Sequence, residues 1–501
     1  MANTRDGKRR LSLVDASFLY GESPVNPTHV GSIFILEGEL PFERVVSHIR
    51  NRLHISPRFR QRLNFLPFNL AHPTLEEDPD FKLENHVRRQ QLPAGISETE
   101  AIQEIVRLHF GRVMDRTRPL WDVTFFEGLP GRSIFVWAMH HAVVDGVSWF
   151  EMLNGLMDFT PNPQPEAVPE PRTAAKLPTA AESLISAAHD LAVEQIDNAV
   201  NAARESIENP TDALDTFMTA NRLMSELAQP AIAAPWNAGM AVSDRHLAYL
   251  KMPFADYRAI RAAFGGTIND IVLTVLGEAA ARYLKHHNWP TNGILRFACP
   301  VNVRRPGEEI TLENRISTIM PVTPAAPMDV VERLKAITRE TSRLKQSGAA
   351  YTMERMTRMG ASIPPALLGA ANAMGSFSSV LMAQLFRASN WKPTLADVAL
   401  AAPMMNFVAT NVPGPQTPWY FAGHKVTDML GLLPLGGNLG YGVGISSYDR
   451  HITFSMMSDI RLMPDAEQMK DFAGDAFEEL RRRVPADFHQ ESVPERRAEA
   501  A

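Results

Sequence analysis

The chain holds a single cysteine, Cys299. One thiol can neither close an internal disulfide nor build a cysteine metal cluster, and this usage suits a reducing compartment. An excess of one charge is also missing. Lys plus Arg number 50 and Asp plus Glu 56, which leaves a formal net charge of -6. Without a basic field to attract a polyanion, nucleic acid is a poor fit as main partner. No clean apolar run of about 18 residues, the length a membrane-crossing helix needs, is present. The nearest stretch, PPALLGAANAMGSFSSVLMAQLF at 364–386, is broken by Gly, Asn, Ser and Gln and reads as a buried or interfacial helical region. The opening MANTRDGKRRLSLVDASFLY is interrupted by Asp15 and lacks a signal-peptide core. A G-x-S-x-G nucleophile elbow is absent as well. With 501 residues and 45% hydrophobic composition, the chain can bury a large core split over two or more domains.

What is present mixes strands and helices in both halves. HVGSIFILEG (29–38) reads as a strand, and 42–63 has helical spacing interrupted at Pro57. ETEAIQEIVRLHFGRVM (98–114) places Ile102, Ile105, Val106 and Phe110 on one helix face. WDVTFFEGLPGRSIFVWAMHH (121–141) reads as a hairpin turned by Gly128, Pro130 and Gly131, and 147–159 as a helix. Residues 161–178 are proline-rich and linker-like, and 179–231 are alanine-rich with a helical pattern. Further on, 246–254 reads as a strand and 268–287 as a helix capped by Thr267 or Asn269. A strand from 293 is expected to stop at Pro300, VVERLKAITRETSRLKQ is an amphipathic helix, and NFVATNVPGP (406–415) is a strand with a hard turn. Residues 441–449 and 451–459 form a hairpin before a closing helix. The expected architecture is mixed α+β. It has an N-terminal domain over 1–165, a proline-rich then helical bridge over 166–235, a C-terminal domain over 236–488 and a disordered tail over 489–501.

The chemistry concentrates in IFVWAMHHAVVDGVSW (134–149). His140 and His141 are adjacent at a strand end, so they point to different sides and one of them can face a shared cleft. Asp145 follows four residues after His141 and can turn back to it or lock the loop, and Gly146 permits close approach. A neutral imidazole titrating near neutrality can take the proton from a hydroxyl as its oxygen attacks an acyl carbonyl. The same residues could equally finish a strand and cap a turn. A metal site has thin support, because the H-E-x-x-H spacing and helping cysteines are missing; neither metal nor cofactor is expected.

HHAVVDG at 140–146 resembles the active-site motif of the CoA-dependent acyltransferase superfamily, which includes chloramphenicol acetyltransferase, carnitine acyltransferases and peptide-synthetase condensation domains. A series of further blocks resembles the bacterial wax ester synthase/diacylglycerol acyltransferase family, in family order. They are LSLVDASFLY (11–20), PRFRQRL (57–63) as an arginine-rich helix segment, RPLWDVTFFEGL (118–129), TINDIVLTVLGEAAARYL (267–284), PVNVRR (300–305), NVPGP (411–415) and GYGVGISSYDRHITFSMMSD (440–459). One departure is Glu313-Asn314, where the family usually carries Gly-Asn.

The resemblance implies two chloramphenicol acetyltransferase-like domains with a substrate tunnel between them. Acyl-CoA would be a substrate, and the acceptor would be diacylglycerol or a long-chain alcohol. His141 would be the general base and His140 an orienting neighbour. Asp145 would hold the loop against Arg304, and Gly146 would leave room near the thioester. Asn269 would donate to the oxyanion, or Asp270 would fix the tunnel wall; an ordinary helix cap explains the pair equally well. Pro119, Leu120 and Trp121 would support the tunnel. Its apolar lining could draw on the 23 methionines, whose flexible side chains suit an adaptable cavity. The expected location is cytoplasmic, peripherally on inner membrane or lipid inclusions, with 364–387 or 213–240 as contact segments. Two rivals remain at this level: a condensation-type enzyme acting on another hydroxyl or amine, and a non-catalytic lipid-binding protein.

Overall fold

The computed structural model describes residues 9–66, 71–163, 229–239, 244–302, 316–348 and 403–489, with isolated positions among 179–226 and at 352–353. The proline-rich linker, most of the alanine-rich bridge, Arg304, the Glu313-Asn314 pair and the 364–386 segment lie outside the described residues.

The first half runs β1 (Arg9–Arg10), α1 (Leu13–Gly21), β2 (His29–Glu37), α2 (Phe42–Arg52), β3 (Gln61–Asn64), β4 (Thr74–Glu77), β5 (Val87–Gln91), α3 (Glu98–Phe110), β6 (Trp121–Glu127), β7 (Arg132–His140) and α4 (Gly146–Leu156). Local sequence accounts for the helix starts. Ser12 and Asp15 form a capping box on α1, and Ser97 and Glu100 form another on α3. The expected stripe of α3 is buried, with Ile102, Ile105, Val106 and Phe110 at 0–1% exposure.

The second half runs β8 (Arg245–Pro253), α5 (Phe254–Phe264), α6 (Ile268–His286), β9 (Ile294–Asn302), β10 (Ile316–Ile319), β11 (Val322–Pro324), α7 (Val330–Gln346), β12 (Phe407–Pro413), β13 (Tyr420–Phe421), β14 (His424–Leu432), β15 (Tyr441–Tyr448), β16 (His451–Asp459) and α8 (Ala466–Arg482). Thr267, rather than Asn269, caps α6, in a reciprocal box with Asp270. Among the described residues no single helix is long and apolar enough to cross a membrane.

Two large sheets result, and they do not divide at the middle of the chain. One has the order β10-β9-β12-β15-β16-β8, with β11 also on β9. The other has the order β13-β14-β2-β7-β6-β5, so two strands from beyond residue 419 complete the sheet that carries the histidines. β14 runs antiparallel to β2 from Val426↔Leu36 to Leu432↔Gly31. A shared apolar cluster joins the sheets. It contains Ile33, Ile35, Ile105 and Val136 with Leu247, Leu430 and Met457. The free edge of β8 is closed by the Gln103 amide, which donates to Leu247 O at 2.7 Å and accepts from Leu247 N at 3.2 Å.

Two expectations for the elements need correction. The helical reading of 42–63 ends at Arg52; short 3-10 turns follow, and 61–64 is a strand paired with 74–77. The arginines of PRFRQRL therefore sit on a turn and a strand. Pro57 opens the second turn, and pairing with β4 then overrides the helix-forming side chains. The strand from 294 also runs through Pro300 to Asn302. Its β12 neighbour pairs with Phe297 and Ala298 and then stops, so a residue without an N–H is tolerated on the one-sided stretch beyond.

Candidate active site

β7 delivers the histidine pair to the end of the first sheet, where His140 pairs with His29 across β2. The two histidines then meet different surroundings. His140 is wholly buried. Its Nδ1 accepts from Ala142 N–H at 3.0 Å, which puts the proton of the neutral ring on Nε2. Nε2 lies 3.0 Å from Thr28 Oγ1 and 3.4 Å from Glu22 Oε1. Burial lowers the His140 pKa despite Glu22, so the ring is neutral. Glu22 is also buried, which by itself would raise its pKa. Hydrogen bonds from the His140 side chain, Thr28 N–H and Arg116 outweigh that and hold it at about 2.

His141 is partly exposed. Its backbone N–H donates to Thr28 O at 3.0 Å, and its ring stacks on Phe18 with centroids 3.9 Å apart and planes at 3°. Burial is also the largest cause of its lowered pKa, opposed in part by the charges of Asp145 and Asp15. The ring is therefore neutral near pH 7, as a base must be before it acts.

Asp145 ends the loop after the pair. It is fully buried and is the N-cap of α4, accepting from Ser148 N–H at 2.7 Å. The helix start is a favourable place for its charge. Gly146 opens the helix against the other half of the molecule, where a Cβ at this position would stand 3.0 Å from Val412 Cγ2. Deeper along the same seam, a Cβ at Gly414 would fall 2.6 Å from Phe150 Cε1 and 2.4 Å from Ser447 O. The NVPGP turn and α4 thus pack with no room for a side chain between them.

The Pro-Leu-Trp block stands behind the histidines. Leu120 O accepts from His140 N–H at 3.0 Å, and Pro119 O accepts from Trp121 N–H at 2.9 Å. Trp121 Nε1 donates to Phe59 O at 2.9 Å, and its ring stacks on His86. These residues brace the strand end. From the second half, Asn411 on β12 donates through Nδ2 to Asn269 Oδ1 at 3.4 Å, one residue from Val412. Asn269 is thereby tied to β12. Its neighbour Asp270 turns inward, accepting from Thr341 Oγ1 at 2.7 Å and Thr267 N–H at 2.8 Å. Among the described residues no group of three His, Cys, Asp or Glu side chains could hold a metal.

Glu22, Thr28, Arg116, Phe18 and Asn411 were not singled out by the sequence. Phe18 lies inside the block LSLVDASFLY, whose recurrence was the available signal.

A model of the wax ester synthase/diacylglycerol acyltransferase catalytic domain matches residues 11–272, and one of the WS/DGAT C-terminal domain matches 312–481. The chain belongs to the wax ester synthase/diacylglycerol acyltransferase family. It is an acyl-CoA-dependent O-acyltransferase that acts on a hydroxyl acceptor. Among its relatives is the probable diacylglycerol O-acyltransferase tgs1 of Mycobacterium tuberculosis strain H37Rv, 28% identical over 94% of this chain and 95% of the relative. The fold is similar to that of the wax ester synthase/diacylglycerol acyltransferase from Marinobacter aquaeolei VT8. The TM-score is 0.62 at 23% identity, covering 95% of this chain and 99% of the other. It is also similar to the starter condensation domain of rhizomide synthetase RzmA, solved with C8-CoA and Leu-SNAC. There the TM-score is 0.55 at 12% identity, covering 95% of each chain. The mixed α+β, two-domain expectation agrees with these matches.

Proposed function

We propose that this enzyme moves a long-chain fatty acyl group from CoA to the hydroxyl of diacylglycerol, of a long-chain alcohol, or of both, with His141 as general base. The unequal placement of the histidines carries the reading. His140 spends both ring nitrogens inside the protein, whereas His141 keeps some exposure. In this reading His141 takes the hydroxyl proton as the oxygen attacks the thioester carbonyl. The tetrahedral intermediate collapses, the C–S bond breaks, and the CoA thiolate recovers the proton from the imidazolium. No acyl-enzyme forms.

Asn269 is the proposed donor to the intermediate's oxyanion. Its Oδ1 faces Asn411, which leaves Nδ2 as its donating end. Asn269→Ala should lower kcat by about 10²–10³. Asp145 and Gly146 shape the loop and seam, Asp270 fixes α6 to α7, and Pro119, Leu120 and Trp121 brace the strand end. Both acceptors reside in lipid, so the enzyme works between its two halves while resting peripherally on inner membrane or lipid inclusions.

The test is release of CoA thiol by purified protein given palmitoyl-CoA, with dioleoylglycerol and hexadecanol in separate reactions and the lipid products resolved. Acceptor-dependent release with new triacylglycerol or wax ester is expected, and the ratio of products ranks the acceptors. A folded sample inert toward both acceptors in varied detergent would overturn the assignment of these acceptors.

A further inference from the structure

Around the histidine pair, one residue makes an unusual number of the positioning contacts. Thr28 stands immediately before β2 and is 6% exposed. Its carbonyl accepts from His141 N–H at 3.0 Å. Its hydroxyl donates to Phe18 O at 3.0 Å, on the residue whose ring lies against His141. The same hydroxyl oxygen is 3.0 Å from His140 Nε2, which carries the proton because Nδ1 is already accepting from Ala142. Thr28 is thus held to the backbone of His141, to the residue stacked on its ring, and to the ring of His140.

Thr28 is itself fixed by a buried charge. Its N–H donates to Glu22 Oε1 at 3.1 Å, and Arg116 Nη2 holds Glu22 Oε2 at 2.9 Å while also donating to Leu19 O at 2.7 Å. The Glu22 side chain is 2% exposed and the Arg116 side chain 36%. A buried carboxylate needs such compensation, and an ordinary turn could be closed far more simply with neutral groups. A carboxylate sitting 3.4 Å from Nε2–H also favours that tautomer of His140 over the alternative.

We propose that Glu22 and Thr28 are positioning residues for acyl transfer: they lock His140 as its Nε2–H tautomer and, through Phe18 and the Thr28 carbonyl, fix the direction of the His141 ring. Neither touches substrate in this assignment. It rests on His141 being the base. A ring aimed by three linked contacts loses rate when any of them slackens, because small misplacements of a proton acceptor are costly.

Thr28→Val keeps the shape and removes the hydroxyl, Thr28→Ser restores it, and Glu22→Gln keeps an acceptor for Thr28 N–H while removing the charge. Each is assayed with palmitoyl-CoA and the acceptor that the wild type uses, beside His141→Ala, with melting temperature measured in parallel. Thr28→Val and Glu22→Gln should lower kcat by about 10–100-fold with both KM values unchanged, and Thr28→Ser should recover most of the loss. Nitrogen-15 spectra of histidine-labelled protein should show His140, identified by its loss in His140→Asn, as Nε2–H in the wild type and, because Ala142 N–H still holds Nδ1, as the same tautomer with a shifted Nε2 resonance in Thr28→Val, where the hydroxyl contact is gone. Wild-type kcat in Thr28→Val would overturn the proposal. So would a loss that Thr28→Ser fails to recover and that tracks a fall in melting temperature. Turnover by His141→Ala would instead remove the general-base reading itself, and an inactive His141→Ala beside a fully active Thr28→Val would leave the base standing without the clamp.

Discussion

Phe18 and His141 lie face to face, their ring centroids 3.9 Å apart and their planes within 3°. They come from α1 and from the end of β7, and the contact fixes the rotation of the imidazole with an apolar surface that cannot compete for its proton. Phe18→Ala should therefore lower kcat by about 10-fold or more while leaving both KM values in place. Phe18→Tyr, which keeps the face, should stay near wild type. Steady-state kinetics on the two variants checks this, and equal kcat in wild type and Phe18→Ala would remove the stack from the mechanism.

The two histidines should separate in mutagenesis. His141→Ala should cost about 10²–10⁴ in kcat and little in melting temperature. His140→Ala should cost stability as well, on the order of 1–3 kcal/mol, because it strands the Ala142 N–H in a buried place. Urea unfolding beside turnover reads both effects, and equal stability in the two variants would contradict the placement of His140.

Asp145 holds the start of α4 through Ser148 N–H. Asp145→Ala should lose about 0.5–2 kcal/mol of stability together with activity, since cap and loop geometry go at once. Asp145→Asn retains a capping oxygen and should keep most of the stability. Chemical denaturation of both variants tests the cap. Loss of activity without any loss of stability in Asp145→Ala would argue against a loop lock.

Buried histidines give the fold a pH dependence of definite sign. Burial lowers His48 and His72 to about 4 and His109 to about 3, from an ordinary 6.5. The unfolded chain therefore takes up these protons first as pH falls. Their contribution is complete above about pH 6.5 and is lost progressively toward pH 3–4. Glu22, held at about 2 against an ordinary 4.5, adds a second loss that starts below about pH 4.5. Unfolding free energy should already be lower at pH 5 than at pH 7, with proton uptake on unfolding at pH 5. A flat profile between those values would show that these histidines titrate as if exposed.

The sequence disclosed the parts of the site whose signal is local. The hairpin ending in His140 was legible from an apolar run, a Gly-Leu-Pro-Gly turn and an abrupt change to polar residues. The α6 start was legible because capping chemistry lies within three residues. Residues 61–64 have helical spacing in isolation, and what makes them a strand is β4, ten or more residues away. Glu22 and Thr28 could not be found by spacing, since their meaning comes from meeting residue 140 across the fold. Most of the family blocks, by contrast, mark places where such distant segments meet: Phe18 on His141, Leu120 behind His140, Gly414 against Phe150.

The insertion of β14 into the histidine sheet also bears on how the molecule is made. Thr427 hydrogen-bonds Ile35, 392 positions earlier, and β14 covers β2 along most of its length. During synthesis β2 emerges long before its outer partner, which follows 392 positions later. Until then an apolar strand edge stands open beside β7, and closing so large a loop is slow and exposes the nascent protein to wrong pairings. The catalytic half is therefore not a separable module. A fragment ending before β14 would carry every residue of HHAVVDG and still lack the strand that completes its sheet.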